Sequence, residues 1–130
     1  MSARLAENKL FKSVPSHGYL GLLKEGGSPK NTADFLEFDR SDVARAIGIS
    51  EASVRYDERM PKELEQRLRE IAVICELVAE HFNGDTKKTA LWFQVSNPTL
   101  GNISPRDMIR LGRYQKLLKF IQNALTGNIA

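Results

Sequence analysis

The chain has 130 residues, of which 42% are hydrophobic and 27% are charged, as is typical of one soluble globular domain or of two small ones. This length is too short for most large catalytic folds, and no apolar run approaches the roughly 18 residues of a membrane-spanning helix. The first residues also lack the pattern of a secretory signal. We therefore expect a soluble cytoplasmic protein that does not contact a membrane.

The basic charge is concentrated near the C-terminus. The whole chain has a net charge of +3, whereas residues 101–130 alone carry a net charge of +4. A basic surface can meet the phosphate groups of a nucleic acid or an acidic protein surface, and composition does not choose between these partners.

Residues 1–33 show little periodicity and contain several loop-forming Gly and Pro residues. We expect this segment to be a flexible N-terminal arm. Its apolar residues, Tyr19, Leu20, Leu22 and Leu23, could instead pack on the body of the protein or on a partner.

Residues 39–59 contain two short helical patterns separated by a glycine. Asp39 is a suitable N-cap for the first helix, and Gly48 is suited to end it. Ser50 is a suitable N-cap for a second helix that continues through Tyr56. This spacing predicts a helix-turn-helix.

A long amphipathic helix is predicted to follow Pro61 and to end at Gly84. Its apolar residues recur at intervals of three and four, at Leu64, Leu68, Ile71, Cys75, Val78 and Phe82. The apolar face is broad enough to contact more than one neighbour, and it could also supply the seam of a homodimer.

The C-terminal part of the chain contains three further helical patterns. Thr86 can cap the first, which should end before Asn97. Ser104 can cap the second, Gly112 breaks it, and the last should end near Gly127. Because no strand pattern is present, we expect an all-α fold in which a long amphipathic helix joins a helix-turn-helix module to a small helical domain.

These elements, together with a series of C-terminal motifs, resemble the Xre/MbcA/ParS antitoxins. The motifs are Leu91-Trp92-Phe93, Asn97-Pro98-Thr99-Leu100 and Ser104-Pro105-Arg106-Asp107-Met108-Ile109, followed by Gly112. The resemblance covers roughly residues 39–125 and leaves the arm outside. It implies that an Xre-like helix-turn-helix binds operator DNA and that the C-terminal domain holds a RES-domain toxin, which consumes NAD.

The resemblance also implies two domains, residues 34–84 for binding DNA and residues 85–130 for binding the toxin. The second domain would cover the entrance of the toxin's active site and block it sterically. The residues expected to contact the toxin are Trp92, Asn97, Leu100, Arg106, Arg110 and Arg113. A buried indole can anchor an interface, and arginines can pair with acidic partner residues. Trp92 could equally be part of the core, and the arginines could form a solvated helix face.

A recognition helix inserts its first residues into the major groove. The residues expected to contact DNA are therefore Arg40, Ser50, Glu51, Ala52, Ser53 and Arg55. The net charge of residues 39–59 is −1, which predicts weak binding by a monomer and a need for a homodimer on two half-sites. Alternatively, the helix-turn-helix serves only for packing or dimerisation.

No arrangement typical of an enzyme is evident. His17 and His81 lie far apart in the sequence, and Cys75 falls on the apolar stripe of the long helix. We expect no catalytic residue, no metal and no cofactor. The leading hypothesis is an antitoxin that represses its own promoter, and the alternatives are a free-standing dimeric regulator and a protein-binding adaptor without DNA affinity.

Overall fold

The computed structural model describes residues 18–125. Within this part of the chain there are six α-helices and no β-strand, which confirms the expected all-α fold. The helices are α1 (Lys30–Phe35), α2 (Arg40–Ile47), α3 (Lys62–His81), α4 (Thr86–Gln94), α5 (Pro105–Arg110) and α6 (Tyr114–Leu125). Two short 3₁₀ turns cover Glu51–Ser53 and Pro98–Leu100. None of the described helices is long and apolar enough to cross a membrane, and the predictions for His17 and Gly127 lie outside the described residues.

The central helix of the fold is α3, against which α1, α2, α4 and α6 pack. Its predicted apolar stripe is buried at Leu64, Leu68, Ile71, Cys75 and Val78. Burial also extends around the helix, since every residue from Glu70 to Ala79 except Val73 is buried. The predicted long amphipathic helix, with an apolar face that contacts more than one neighbour, is therefore confirmed. The chain's own helices cover this half of α3, and the homodimer itself stays a prediction.

Local capping signals set the ends of α2 as predicted. The Asp39 carboxylate accepts the Asp42 N–H at 2.8 Å, and the Asp42 carboxylate accepts the Asp39 N–H at 3.1 Å, so that two otherwise unpaired donors are satisfied. Gly48 ends the helix at φ 85°. At the start of α4 the prediction was one residue late, because Asp85 is the N-cap and Thr86 is the first helical residue.

The predicted second helix of the helix-turn-helix is present only as one 3₁₀ turn, Glu51–Ser53. Ser50 does not cap this turn; its hydroxyl instead lies 2.8 Å from the hydroxyl of Ser53. Val54 is buried in an extended conformation. A short segment with one buried apolar residue gains too little packing to offset the cost of nucleating an α-helix. The structure therefore has one α-helix and a turn where the sequence predicts two helices.

The second half of the predicted arm packs on the helices. The backbone N–H groups of Leu20 and Leu22 donate to the two carboxylate oxygens of Glu76 at 2.8 and 3.0 Å. Farther along, Thr32 and Ala33 are buried within α1. This corrects the expectation of a flexible arm for residues 18–33, whereas residues 1–17 lie outside the described part.

A single core runs through both predicted domains. Its buried residues include Leu36 and Leu68 from the first, and Phe93 and Leu117 from the second. The ring of Phe93 meets the ring of Phe35 edge to face, with centroids 6.1 Å apart. The helices on either side of the α3–α4 turn are thus held in one body by shared apolar packing.

Candidate functional site

The residues predicted to contact DNA lie at the start of α2 and in the loop that follows it. Arg40, Ser50, Glu51 and Ala52 are exposed, and Ser53 and Arg55 are partly exposed. Burial and the charge of Asp34 raise the pKa of Tyr56, and the charge of Arg40 acts in the opposite direction.

Arg55 is engaged by Asp57, a partner that the sequence reasoning did not identify. Its Nε donates to Asp57 Oδ1 at 2.8 Å, and a terminal nitrogen donates to Oδ2. The hydrogen bonds raise the pKa of Arg55 and lower the pKa of Asp57. Any guanine or phosphate that meets Arg55 has to compete with this carboxylate. The competition is modest because both side chains are exposed to solvent.

Arg106, predicted to contact the toxin, is bound within the protein. Its Nε donates to the carbonyl oxygen of Leu36 at 2.6 Å, and a terminal nitrogen donates to that of Glu37 at 2.7 Å. The same terminal nitrogen lies 3.5 Å from the Asp42 carboxylate, and the guanidinium stacks over the Phe38 ring at 5.0 Å. The expectation that Arg106 faces a partner is therefore corrected: this arginine ties α5 to the α1–α2 turn.

The other two arginines of the predicted toxin surface differ in whether a carboxylate of the protein already binds them. Arg110 donates to Asp107 at 3.2 Å within α5. Arg113 is exposed, and its side chain makes no hydrogen bond or ion pair with the described residues. Of the three arginines, Arg113 is the one whose charge is open to a partner.

Asn97 and Leu100 shape the loop between α4 and α5. The Asn97 side chain accepts the Thr99 N–H at 2.9 Å, and its backbone pairs with Ile103 in an isolated β-bridge. Leu100 is partly buried against the core. Both residues therefore hold the loop in its conformation, and Asn97 also reaches the groove described next.

Trp92 combines the two roles considered for it. Its ring meets Phe93 edge to face, with centroids 5.1 Å apart, and it also lines an open groove of about 180 Å³ between α3, α4 and α6. The remaining side chains of the groove are mostly apolar and include Phe82, Phe120 and Leu125. Trp92 thus contacts the core with one side and the groove with another.

Exposed apolar side chains accompany this groove. Leu91 of α4 and Val95, the residue that follows α4, are 62% and 51% exposed, and Leu125 in the groove wall is 42% exposed. In residues 18–125 the only other large apolar side chain with such exposure is Tyr19. A cluster of this kind on a small protein is typical of a protein-binding surface.

Cys75 is fully buried in α3, as predicted, and burial raises the pKa of its thiol, which keeps it unreactive. His81 lies at the rim of the groove, where its ring meets Phe82 edge to face at 5.1 Å. Among the described residues, no group of three or more His, Cys, Asp or Glu side chains is placed to hold a metal ion.

No family model, curated protein or solved structure matches this chain. The two surfaces are therefore interpreted from their own geometry. One is the apolar groove beside Trp92, and the other is the polar turn that follows α2.

Proposed function

We propose that this protein is an antitoxin-like binding protein that uses the groove surface around Trp92 to hold a RES-domain toxin. The observation that carries the proposal is the apolar groove lined by Trp92 and Leu125, together with the exposed Leu91 and Val95 close to Trp92 in the sequence, within the segment that the resemblance to Xre/MbcA/ParS antitoxins gives to the toxin. A second part of the proposal is that the same chain represses its own promoter in the cytoplasm.

The physical basis of toxin binding is the burial of exposed apolar surface. Covering one such side chain in an interface contributes up to roughly 1.5–3 kcal/mol before the costs of association. The open charge of Arg113 adds attraction to an acidic partner, because no carboxylate within the described residues already holds it. Arg106 is replaced in the proposed contact set by Leu91 and Val95, which the sequence reasoning did not single out.

The test is co-expression of the full chain with the RES-domain protein of its native host. Co-purification and the NAD consumption of the RES-domain protein are then measured. We expect a stoichiometric complex without NAD consumption, and about tenfold weaker binding for the double variant Leu91→Ser and Val95→Ser. The matched control is Lys87→Ser, an exposed change on the same helix. No complex, or equal loss in the control, would contradict the proposal.

The second candidate function is that of a free-standing DNA-binding regulator. It is favoured by the exposure of Arg40 at the start of α2 and of Glu51 and Ala52 in the turn that follows α2. If such a regulator is a homodimer, its seam lies outside the buried half of α3.

DNA binding is tested by fluorescence anisotropy with the promoter fragment at several salt concentrations. Arg55→Ala should weaken binding about tenfold, and Asp57→Asn should strengthen it about fivefold because Arg55 is released. Glu58→Gln is the matched control, since it removes the same charge without freeing Arg55. If Asp57→Asn and Glu58→Gln strengthen DNA binding equally, the increase in affinity is an effect of net charge and not of the release of Arg55. If the protein does not bind DNA even at low salt, the protein-binding adaptor is the remaining alternative.

A further inference from the structure

The groove beside Trp92 lies between three helices and has mostly apolar walls. Phe82 directly follows α3, Trp92 belongs to α4, and Phe120 belongs to α6. The volume of the groove, about 180 Å³, is below the roughly 300–1,000 Å³ of sites that enclose a small molecule. A space of this size takes one or two large apolar side chains, so it is suited to a segment of a protein.

Two of these helices, α4 and α6, contain basic residues and no acidic residue. Lys87 and Lys88 belong to α4, and Lys116 and Lys119 belong to α6. All four side chains are exposed, and none of them forms an ion pair with another of the described residues. The surface of these two helices therefore carries a positive charge that residues 18–125 do not neutralise.

One lysine of each helix lies on the groove side. Lys88 precedes Trp92 by four positions, and Lys116 precedes Phe120 by four positions. Residues four apart share one side of a helix, with Cβ atoms about 5–6 Å apart. The other lysine of each helix is rotated away from the groove aromatic ring by roughly 100–140° about the helix axis. The positive charge beside the groove thus comes from Lys88 and Lys116.

We propose that the groove binds an acidic amphipathic helix of a partner protein. Large apolar side chains of that helix fill the groove, and its Asp or Glu side chains meet Lys88 and Lys116. A helix is favoured over an extended peptide because residues 18–125 contain no β-strand whose edge a peptide could extend. This inference rests on the proposed role of the groove as a protein-binding surface, and it does not require the partner to be a RES-domain toxin.

A second copy of this chain is a poorer occupant. Two identical groove surfaces that face each other would bring Lys88 and Lys116 close to the same lysines of the other copy, which is unfavourable. A contact between different surfaces would need an exposed apolar side chain elsewhere on the molecule. In residues 18–90 the only large one is Tyr19, which is 47% exposed.

Nucleic acid is the other acidic partner that exposed lysines attract. The apolar walls between α3, α4 and α6 do not fit it, because phosphate groups would lose water there without gaining a hydrogen-bond donor. An acidic amphipathic helix uses both features of the surface, the apolar groove and the lysines beside it.

The first experiment measures the binding of two synthetic peptides of about 18 residues, a length that allows a helix to form. In the acidic peptide, leucines at helical spacing form one side and glutamates form the other, and in the basic peptide lysines replace the glutamates. The emission of Trp92, the only tryptophan of the chain, reports binding in the groove. The acidic peptide should bind about tenfold more tightly. Equal affinities, or an unchanged emission with both peptides, would overturn the proposal.

The second experiment locates the charge in the full-length protein. Lys88→Glu combined with Lys116→Glu should weaken binding of the acidic peptide about tenfold and strengthen binding of the basic peptide. The matched control is Lys87→Glu combined with Lys119→Glu, which changes the net charge equally on the same helices and should alter the affinity less than about twofold. Equal effects of the two double variants would assign the attraction to net charge and overturn the proposal.

The same titrations distinguish this inference from the proposed function. If the chain binds the acidic peptide but no RES-domain protein, the toxin proposal fails and the inference stands. If a complex with the RES-domain protein forms but the acidic peptide does not displace that protein, the inference fails and the toxin proposal stands. A dimer of the chain alone that the acidic peptide dissociates would assign the groove to a second copy, and displacement of the peptide by a DNA duplex would assign it to nucleic acid. Either result would overturn the proposal.

Discussion

Arg106 stabilises the fold more than a residue on a basic helix is expected to. It donates to the carbonyl oxygens of Leu36 and Glu37, which lie at the end of α1 where no intrahelical donor reaches. We predict that Arg106→Ala lowers the free energy of unfolding by about 2–3 kcal/mol, as measured by urea denaturation. Arg113→Ala is the control and should change it by less than about 0.5 kcal/mol. If the two variants lowered the free energy of unfolding equally, the contacts of Arg106 would not contribute to stability.

Tyr114 makes stability depend on alkaline pH. Burial and the nearby Glu70 carboxylate raise the pKa of Tyr114 from 10.0 to about 12. Between these values the unfolded chain loses the phenolic proton while the folded chain keeps it. Stability therefore falls as the pH rises from about 10 to about 12. Below pH 10 this contribution is fully present.

The prediction for this residue is that Tyr114→Phe removes part of the alkaline loss of stability. Urea midpoints at pH 9 and pH 11 should differ less in the variant than in the original chain. At pH 9 the variant should be less stable by about 1 kcal/mol, because Glu70 loses the hydroxyl donor at 3.3 Å. Tyr19→Phe, at an exposed position, is the control. An unchanged pH dependence in Tyr114→Phe would contradict the assignment.

At the scale of elements, the turn between α3 and α4 is fixed by a contact with the N-terminal segment. Gly84 and Gly101 have nearly the same backbone angle, φ 82° and φ 81°, but only Gly84 faces Tyr19 at close range. Alanine at either position costs about 1–2 kcal/mol of backbone strain. Gly84→Ala should cost about 1 kcal/mol more, because Tyr19 must move. Thermal denaturation of both variants measures the difference, and equal costs would argue against the contact.

The elements that could be predicted from the sequence are those with local signals. The capping box at Asp39 and the cap at Ser104 involve residues three positions apart, so a pattern in one chain reveals them. The turn at Glu51–Ser53 was predicted as a helix because propensity could not show that Val54 would be buried in an extended conformation.

The candidate site was predictable only in part, for the same reason. Trp92 stands out in any reading of the sequence, and its segment does line a groove. The exposure of Leu91 and Val95 depends on which side of α4 faces the core, which a nine-residue helix with weak amphipathicity does not reveal. The role of Arg106 depends on carbonyl groups about 70 positions earlier in the chain, and backbone acceptors leave no signal in a sequence.

At the scale of the whole molecule, α4, α5 and α6 depend on the helices that precede them. They bury Phe93, Ile109 and Leu117 completely in the shared core, and α5 is tied by Arg106 to the α1–α2 turn. Without α1–α3 these side chains would face water. A segment of fewer than 50 residues seldom buries enough apolar surface to fold without such support.

We therefore predict that the full chain unfolds in one cooperative transition and that residues 85–130 alone do not fold. Trp92 fluorescence reports on the C-terminal helices, whereas the far-ultraviolet circular dichroism signal is dominated by all the helices together. The two signals should give the same urea midpoint. Two separate midpoints, or a helical spectrum for the isolated fragment, would contradict a shared core. The expected outcome requires that partner binding be tested on the full chain, because loss of binding by the fragment would report unfolding rather than a missing contact.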